Sequence, residues 1–254
     1  PFLLAVGFFK PHLPFNAPKK YWDLYPPDLV KLSPTDDLRS QTGGEFWGYT
    51  HPAGAKADAD YHRRIRRAYF AAVSYVDAQV GKVLDAVDEL GLRDQTVVVL
   101  WGDHGWHLGD LNHWGKHTSY EWALRSAFIM RTPNMNQPGK ATSAIVETLD
   151  IYPTLVDLCR LGGADGLDGV SLRPVLDDPE HPGKTGAIGY WGNARSLRTA
   201  RYRLIAGKDL SAKGAKLYAH QADPDEARDL AEQQPQLVAE LLRQLRADSP
   251  TLVT

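Results

Sequence analysis

A single cysteine, Cys159, stands among 254 residues. No internal disulfide can form, and a cysteine-based zinc site is excluded. This scarcity does not set the compartment, because exported proteins also do without disulfides. Neither sign of charge is in excess: 29 Lys and Arg against 31 Asp and Glu give a formal net charge of −2. A dedicated nucleic-acid binder needs a basic footprint, so that class is set aside. Long apolar runs are missing too. The longest lies at Phe2 to Phe9, well short of the roughly 20 residues that span a bilayer, so no membrane span is expected. No basic stretch precedes it and no small-residue cleavage site follows it, so it does not read as a signal peptide. The sequence opens on Pro1 and runs straight into this strand-like stretch, as a fragment or a processed product does. A targeting signal would then belong to the missing part. What is present, 43% hydrophobic and 24% charged, is ordinary globular composition.

Phe2-Leu-Leu-Ala-Val-Gly-Phe-Phe9 has the continuous apolar pattern of a strand buried on both faces. Two prolines in Lys10-Pro-His-Leu-Pro-Phe15 end it. From there to about Ala57 the chain is rich in Pro, Gly, Asp and Thr, which predicts a long surface excursion with one short helix at Lys19 to Tyr25. Ala59 to Leu92 is a helix by period: Ile65, Tyr69, Ala72, Val76, Val80, Val83, Val87 and Leu90 form one apolar stripe, and Gly91 stops it. Gln95 to Trp101 and Ala127 to Met130 read as further buried strands, and Thr148 to Leu161 as a helix with Asp150 near its cap. Strands alternating with helices predict an α/β fold with a parallel sheet. Beyond Pro182 the pattern becomes α+β, with short strands at Ala187 to Trp191, Ser196 to Ala206 and Lys216 to Ala219. A last helix follows, carrying Leu237, Leu241, Leu242 and Leu245. The expected division is a main α/β domain over 1–180 and a small α+β subdomain over 181–254.

The chemistry-bearing segment is Trp101-Gly-Asp-His-Gly-Trp-His-Leu-Gly-Asp-Leu-Asn-His-Trp-Gly-Lys116. It begins where an apolar strand ends, and open α/β sheets bind ligands beyond the carboxyl ends of their strands. Asp103 is the first charge past that edge, His104 offers a nitrogen ligand or a proton carrier, and Lys116 brings back a positive charge. A lone Asp-His-Gly after a strand is more often a simple turn, and His107, His113 and His117 stay open between surface and direct roles. The turn at Lys10 to His12 also follows an apolar strand, so both turns are expected at one edge of one sheet.

Taken in order, these segments resemble a known family. They are Phe2 to Phe15, Tyr75-Val-Asp-Ala-Gln-Val-Gly81, Asp103-His-Gly-Trp-His-Leu-Gly109, Trp114-Gly-Lys-His117, Asp150-Ile-Tyr-Pro-Thr-Leu155 and Asp168-Gly-Val-Ser-Leu172. The set resembles the later part of a type I sulfatase of the alkaline phosphatase superfamily, in the iduronate-2-sulfatase-like branch. Lys216-Leu-Tyr-Ala-His-Gln-Ala-Asp-Pro-Asp-Glu226 is similar to a further family element, with Ala219 where an acidic residue is usual. The resemblance implies an alkaline-phosphatase-like sheet-and-helix sandwich and a calcium site completed by Asp103 and His104. Many members carry Asn at the second position, and hard calcium prefers oxygen, so His104 is either ligand or neighbour. It also implies that Lys116 contacts the sulfate oxygens and that His12 faces the sulfate and its leaving oxygen. Lys10 and His117 are implied at the substrate.

The family's nucleophile is a formylglycine made from Cys or Ser in a Cys/Ser-x-Pro/Ala-x-Arg segment. Here Cys159 lies in Asp-Leu-Cys-Arg-Leu161 and reads as a core residue, while Ser33 and Ser171 also fail the pattern. The resemblance therefore implies the later half of a sulfatase, inactive alone, whose partner is the missing N-terminal part. A periplasmic, secreted or lysosomal-type compartment goes with it. Two alternatives stay open: a phosphomonoester or phosphonate hydrolase of the same superfamily, and a non-catalytic binding protein. Trp47, Tyr49, Trp106, Trp114 and Trp191 are candidates to stack on sugar rings. A sulfated saccharide is accordingly preferred to choline sulfate or an aryl sulfate as substrate.

Overall fold

The computed structural model describes residues 1–36, 58–163 and 166–248. Trp47, Tyr49 and most of the expected surface excursion lie outside them. In chain order the elements are α1 (Lys19–Trp22), α2 (Ala59–Glu89), β1 (Val98–Trp101), β2 (His107–Leu108), β3 (Trp114–Gly115), α3 (Glu121–Leu124), β4 (Phe128–Arg131), α4 (Ile151–Leu158), α5 (Arg173–Asp177), β5 (Gly186–Trp191), β6 (Ala194–Thr199), β7 (Tyr202–Gly207), β8 (Lys216–Ala219) and α6 (Pro235–Asp248). Two compact units form, Pro1–Thr96 with His107–Gly115 and Val97–Trp106 with Lys116–Thr254. No helix among the described residues is long and apolar enough to cross a membrane.

In the first unit the expected strand at Phe2–Phe9 is not formed. A strand exists only where a neighbour completes its hydrogen bonds. No described strand pairs with this segment, and Phe2, Leu3 and Leu4 are 64%, 89% and 65% exposed. α2 starts where the apolar period predicts, and the Asp58 side chain caps it by accepting from the Tyr61 amide at 2.9 Å. It holds α1 through Tyr21 against Tyr75, through the Tyr25–Ser74 hydroxyl pair at 2.6 Å, and through Arg67 donating to the Trp22 carbonyl. The expected apolar stripe is only half buried, and Leu90 is exposed. The deepest positions are Ala68, Ala71, Ala72 and His62, which lets neighbours pack close to the helix backbone. β2 and β3 form a short antiparallel hairpin pairing His107 with Gly115 and Leu108 with Trp114.

In the second unit β1 pairs with β4 antiparallel, Trp101 opposite Phe128, and the Gly102 amide extends the ladder to the Ala127 carbonyl. The parallel sheet expected from the sequence is thus corrected. All strand pairs among the described residues are antiparallel. A parallel pair needs a crossover that returns the chain to its starting end. Here the segment after Trp101, which carries the β2–β3 hairpin and the one-turn α3, comes back at the same end.

Two of the recognised sequence segments are structural stitches. The fully buried Asp150 carboxylate accepts from the Glu147 amide (2.8 Å), the Val170 amide (2.9 Å) and the Lys184 ammonium (2.6 Å). Thr154 donates to the Asp150 carbonyl and accepts from the Leu172 amide. Gly169 must be glycine, since a Cβ there would lie 2.2 Å from the Leu149 carbonyl oxygen. Asp150→Ala, which removes a fully buried carboxylate and leaves two part-buried amides and a lysine without it, is expected to destabilise the protein by about 2–3 kcal/mol in denaturant unfolding. Asp150→Asn should lose less. A change below about 0.5 kcal/mol, the scale of a neutral surface substitution, would refute this role. Cys159, expected in the core, is instead exposed: it caps the C-terminal end of α4, where the helix stops.

β5 to β8 form an antiparallel meander in sequence order. One of its faces buries Leu197, Leu204, Ala206 and Leu217 against Val238, Leu241, Leu242 and Leu245 of α6. The α+β pattern read from the sequence is met here. The single run expected over Ser196 to Ala206 is two strands, β6 and β7.

Candidate active site

Gly102 to Trp106 leaves β1 and is pinned by the Gly105 amide to the Ala123 carbonyl. Glycine is required at 105, because a Cβ would stand 2.1 Å from the Trp122 carbonyl oxygen and 2.8 Å from that of Arg125. This close approach fixes the two residues before it. His104 Nδ1 lies 2.7 Å from the Gly105 carbonyl oxygen, which can only accept, so Nδ1 carries the proton. The neutral ring then bears its lone pair on Nε2, the tautomer a metal-ligating imidazole takes when its other nitrogen is tied to a carbonyl. Nε2 faces Asp103 Oδ2 at 3.5 Å, and the Asp103 side chain is exposed. Two ligands at right angles on one calcium, each at the usual contact distance, stand about 3.3–3.7 Å apart. The pair therefore fits as two adjacent positions of a hard-cation shell.

Lys116 follows β3 directly in the chain and belongs to the second unit. Its ammonium lies 5.8 Å from the centre of the Trp106 ring, and the His104 ring lies 6.3 Å from that same ring. Trp106 is thus the common neighbour of the Asp103–His104 pair and Lys116. The sequence offers Trp106 only as one aromatic among several. Its position directly after Asp-His-Gly was the available signal. His117 lies flat on Trp191 of β5, ring centres 4.6 Å apart and planes 12° from parallel. No local sequence signal links those two residues.

In the first unit, the Lys10–Pro14 turn binds its own lysine: the Lys10 ammonium donates to the carbonyls of His12 (3.4 Å) and Pro14. His12 Nδ1 donates to the Leu13 carbonyl at 2.9 Å, which again puts the proton on Nδ1. His107 is fully buried, its Nδ1 3.2 Å from the Asp110 carbonyl oxygen and its ring edge-on to His113, which makes it part of the hairpin interior.

Among the described residues, one other cluster has ligand-type atoms close together, Glu121, His220 and Glu226. It does not suit a cation. Arg203 Nε sits 2.6 Å from Glu226 Oε1 and its terminal nitrogen binds Glu121 Oε2, which Arg198 also approaches at 3.3 Å. Two guanidiniums already neutralise the two carboxylates.

Comparison with known proteins decides what this arrangement belongs to. A family model described as Sulfatase matches residues 1–161. The chain belongs to the sulfatase family. A second model, for the C-terminal part of N-sulphoglucosamine sulphohydrolase, matches residues 102–250. A sulfatase of Formosa agariphila is 33% identical over 89% of this chain and 45% of its own length. Human iduronate 2-sulfatase is 30% identical over 72% of this chain and 43% of its own. This sulfatase-family chain spans about half the length of the relatives it matches. Among solved structures, a phosphonate monoester hydrolase from Silicibacter pomeroyi superposes with a TM-score of 0.79 at 26% identity, over 93% of this chain and 53% of that one. A protein solved with its substrate D-glucosamine-2-N,6-O-disulfate gives 0.65 at 25% identity, over 77% of this chain and 44% of that one. The mixed α/β architecture is therefore that of the alkaline-phosphatase-like fold.

Proposed function

We propose that the complete gene product hydrolyses sulfate esters and that this chain carries the groups that bind and polarise the sulfate. The supporting observation is the grouping around Trp106 of a carboxylate, an imidazole lone pair and an ammonium. Asp103 and His104 would hold calcium, which when bound offsets negative charge on the sulfuryl oxygens. Lys116 does the same from this chain as charge builds in the transition state. His12 serves as the proton donor to the leaving oxygen, an imidazole being matched to that task near neutral pH. Lys10 shapes the turn that presents His12 and adds positive charge there. His117 contacts the substrate beyond its sulfate. The formylglycine nucleophile is assigned to no residue among these 254, and residues 1–254 alone are expected to show no turnover of a chromogenic aryl sulfate with calcium present. We further propose that residues 181–254 act as a separate subdomain, and that the protein works in a periplasmic, secreted or lysosomal-type compartment.

A second reading, phosphonate or phosphomonoester hydrolysis, is favoured by the Silicibacter pomeroyi neighbour. The two separate on one measurement: kcat/KM of the complete gene product for an aryl sulfate against an aryl phosphonate monoester. A preference for the phosphonate would sink the sulfatase proposal. In the same enzyme, Asp103→Ala should raise the calcium concentration needed for half-maximal activity by tenfold or more, with activity partly restored at high calcium. Calorimetric calcium titration reads the same change without turnover. Unchanged calcium affinity would remove Asp103 from the metal site.

A further inference from the structure

Sulfate recognition does not say what molecule carries the sulfate, and the aromatic side chains bear on that question. Of the tryptophans that the sequence offers for stacking, Trp114 is 3% exposed and belongs to the interior. Trp191 is 46% exposed. Alternation along β5 puts Gly189 and Trp191 on one face and Tyr190 on the other. The face of Gly189 lies against α3, since a Cβ there would sit 2.8 Å from Leu124 Cδ1. Trp191 therefore projects toward the segment that holds Lys116 and His117, and its indole is stacked on the His117 ring. Across the hairpin it is paired with Ala194, whose small side chain does not crowd it, and the turn continues into Gly192 at φ +53°. One indole face is thus braced by an imidazole while nearly half of the residue stays open to solvent. The imidazole belongs to the residue that follows Lys116.

We infer that Trp191, braced by His117, is a stacking wall for the sugar ring of a sulfated saccharide whose sulfate Lys116 engages. A large rigid aromatic surface matches the apolar C–H face of a pyranose, and it orders with little loss of side-chain freedom. A compact alkyl sulfate such as choline sulfate has no ring face to use it. This inference rests on the sulfatase reading and specifies its substrate class.

The test uses the complete gene product with nitrophenyl sulfate, choline sulfate, glucosamine 6-sulfate and N-acetylgalactosamine 4-sulfate. The parent enzyme should use at least one sugar with a higher kcat/KM than either non-sugar ester. Trp191→Ala should then raise KM for that sugar about tenfold more than KM for nitrophenyl sulfate, with kcat nearly kept. Trp191→Phe should restore most of the loss. Tyr190→Ala, on the opposite face, serves as the control and should leave both substrates within about twofold. A parent enzyme that prefers choline or nitrophenyl sulfate overturns the saccharide inference and leaves the sulfatase reading standing. So does a Trp191→Ala effect that is absent or equal for sugar and non-sugar. Failure to hydrolyse any sulfate ester would overturn the reading on which the inference rests.

Discussion

Replacing Lys116 by alanine in the complete enzyme is expected to lower kcat for sulfate esters by about 10²–10³, the loss seen when one preorganised oxyanion donor is removed. Lys116 is half-buried, with its ammonium 5.8 Å from the centre of the Trp106 ring, and a charge beside low-dielectric protein is screened less than in open water. In the proposed role its contribution would grow as negative charge accumulates on the sulfuryl oxygens, so kcat should suffer more than KM. Lysine is not a calcium ligand, and calcium affinity should stay near that of the parent. Lys116→Arg should rescue only in part, because a planar guanidinium spreads the charge that a compact ammonium concentrates. The opposite pattern is expected of Asp103→Ala, whose defect yields to added calcium. Steady-state kinetics of both variants across a calcium titration distinguish them. If Lys116→Ala keeps kcat within about threefold, or if calcium repairs it as it repairs Asp103→Ala, Lys116 does not act on the sulfate.

The residues of this candidate site could be proposed from the sequence for a limited reason. Asp103, His104 and Lys116 lie in one short stretch after an apolar strand, and their order resembles that of the family to which the chain belongs. The pairing of His117 with Trp191 was not legible, because it is set by the register of β5 and not by any local pattern. The same contrast runs through the fold. α2 was readable because a sustained helical period acts within the segment itself; its Asp58 cap emerged only with the structure. The direction of β1 against β4 was not, since an apolar run gives no information about which end its partner enters. β6 and β7 merged into one expected strand because their turn contains no glycine or proline. It is closed by the Thr199 hydroxyl, which accepts from the Tyr202 amide at 3.0 Å. Cys159 was misplaced because an apolar helix sequence does not show where the helix ends.

Glu226, quoted in the sequence only as the end of a family element, proves to hold one of the most deeply buried charge networks among the described residues. Its Oε1 lies 2.6 Å from Arg203 Nε and 3.1 Å from His220 Nε2, and its Oε2 accepts from the Glu121 amide at 2.7 Å. Arg203 and Glu226 are each 2% exposed. Glu226→Ala is therefore expected to destabilise the protein by about 3–5 kcal/mol, the range for removing one partner of a buried ion pair. The double replacement Arg203→Met with Glu226→Leu should lose less than the sum of the single losses, because no buried charge is left uncompensated. Acid should expose the same network. Burial alone would raise the Glu121 carboxyl, but Arg203, Arg198 and His220 outweigh it and hold it below the ordinary carboxylate range. A lowered folded value means that the contribution is complete above the unfolded value near pH 4.3, and is lost as pH falls through the lower folded value. The parent protein should thus lose melting temperature steeply on acidification below about pH 4, and Glu121→Gln should flatten that slope while lowering stability at pH 7. Thermal unfolding of parent, Glu226→Ala and Glu121→Gln from pH 7 to pH 3 measures both effects. A Glu226→Ala protein within about 1 kcal/mol of the parent, or a Glu121→Gln protein with the parent's acid slope, would show that these charges do not hold the start of α3 in place.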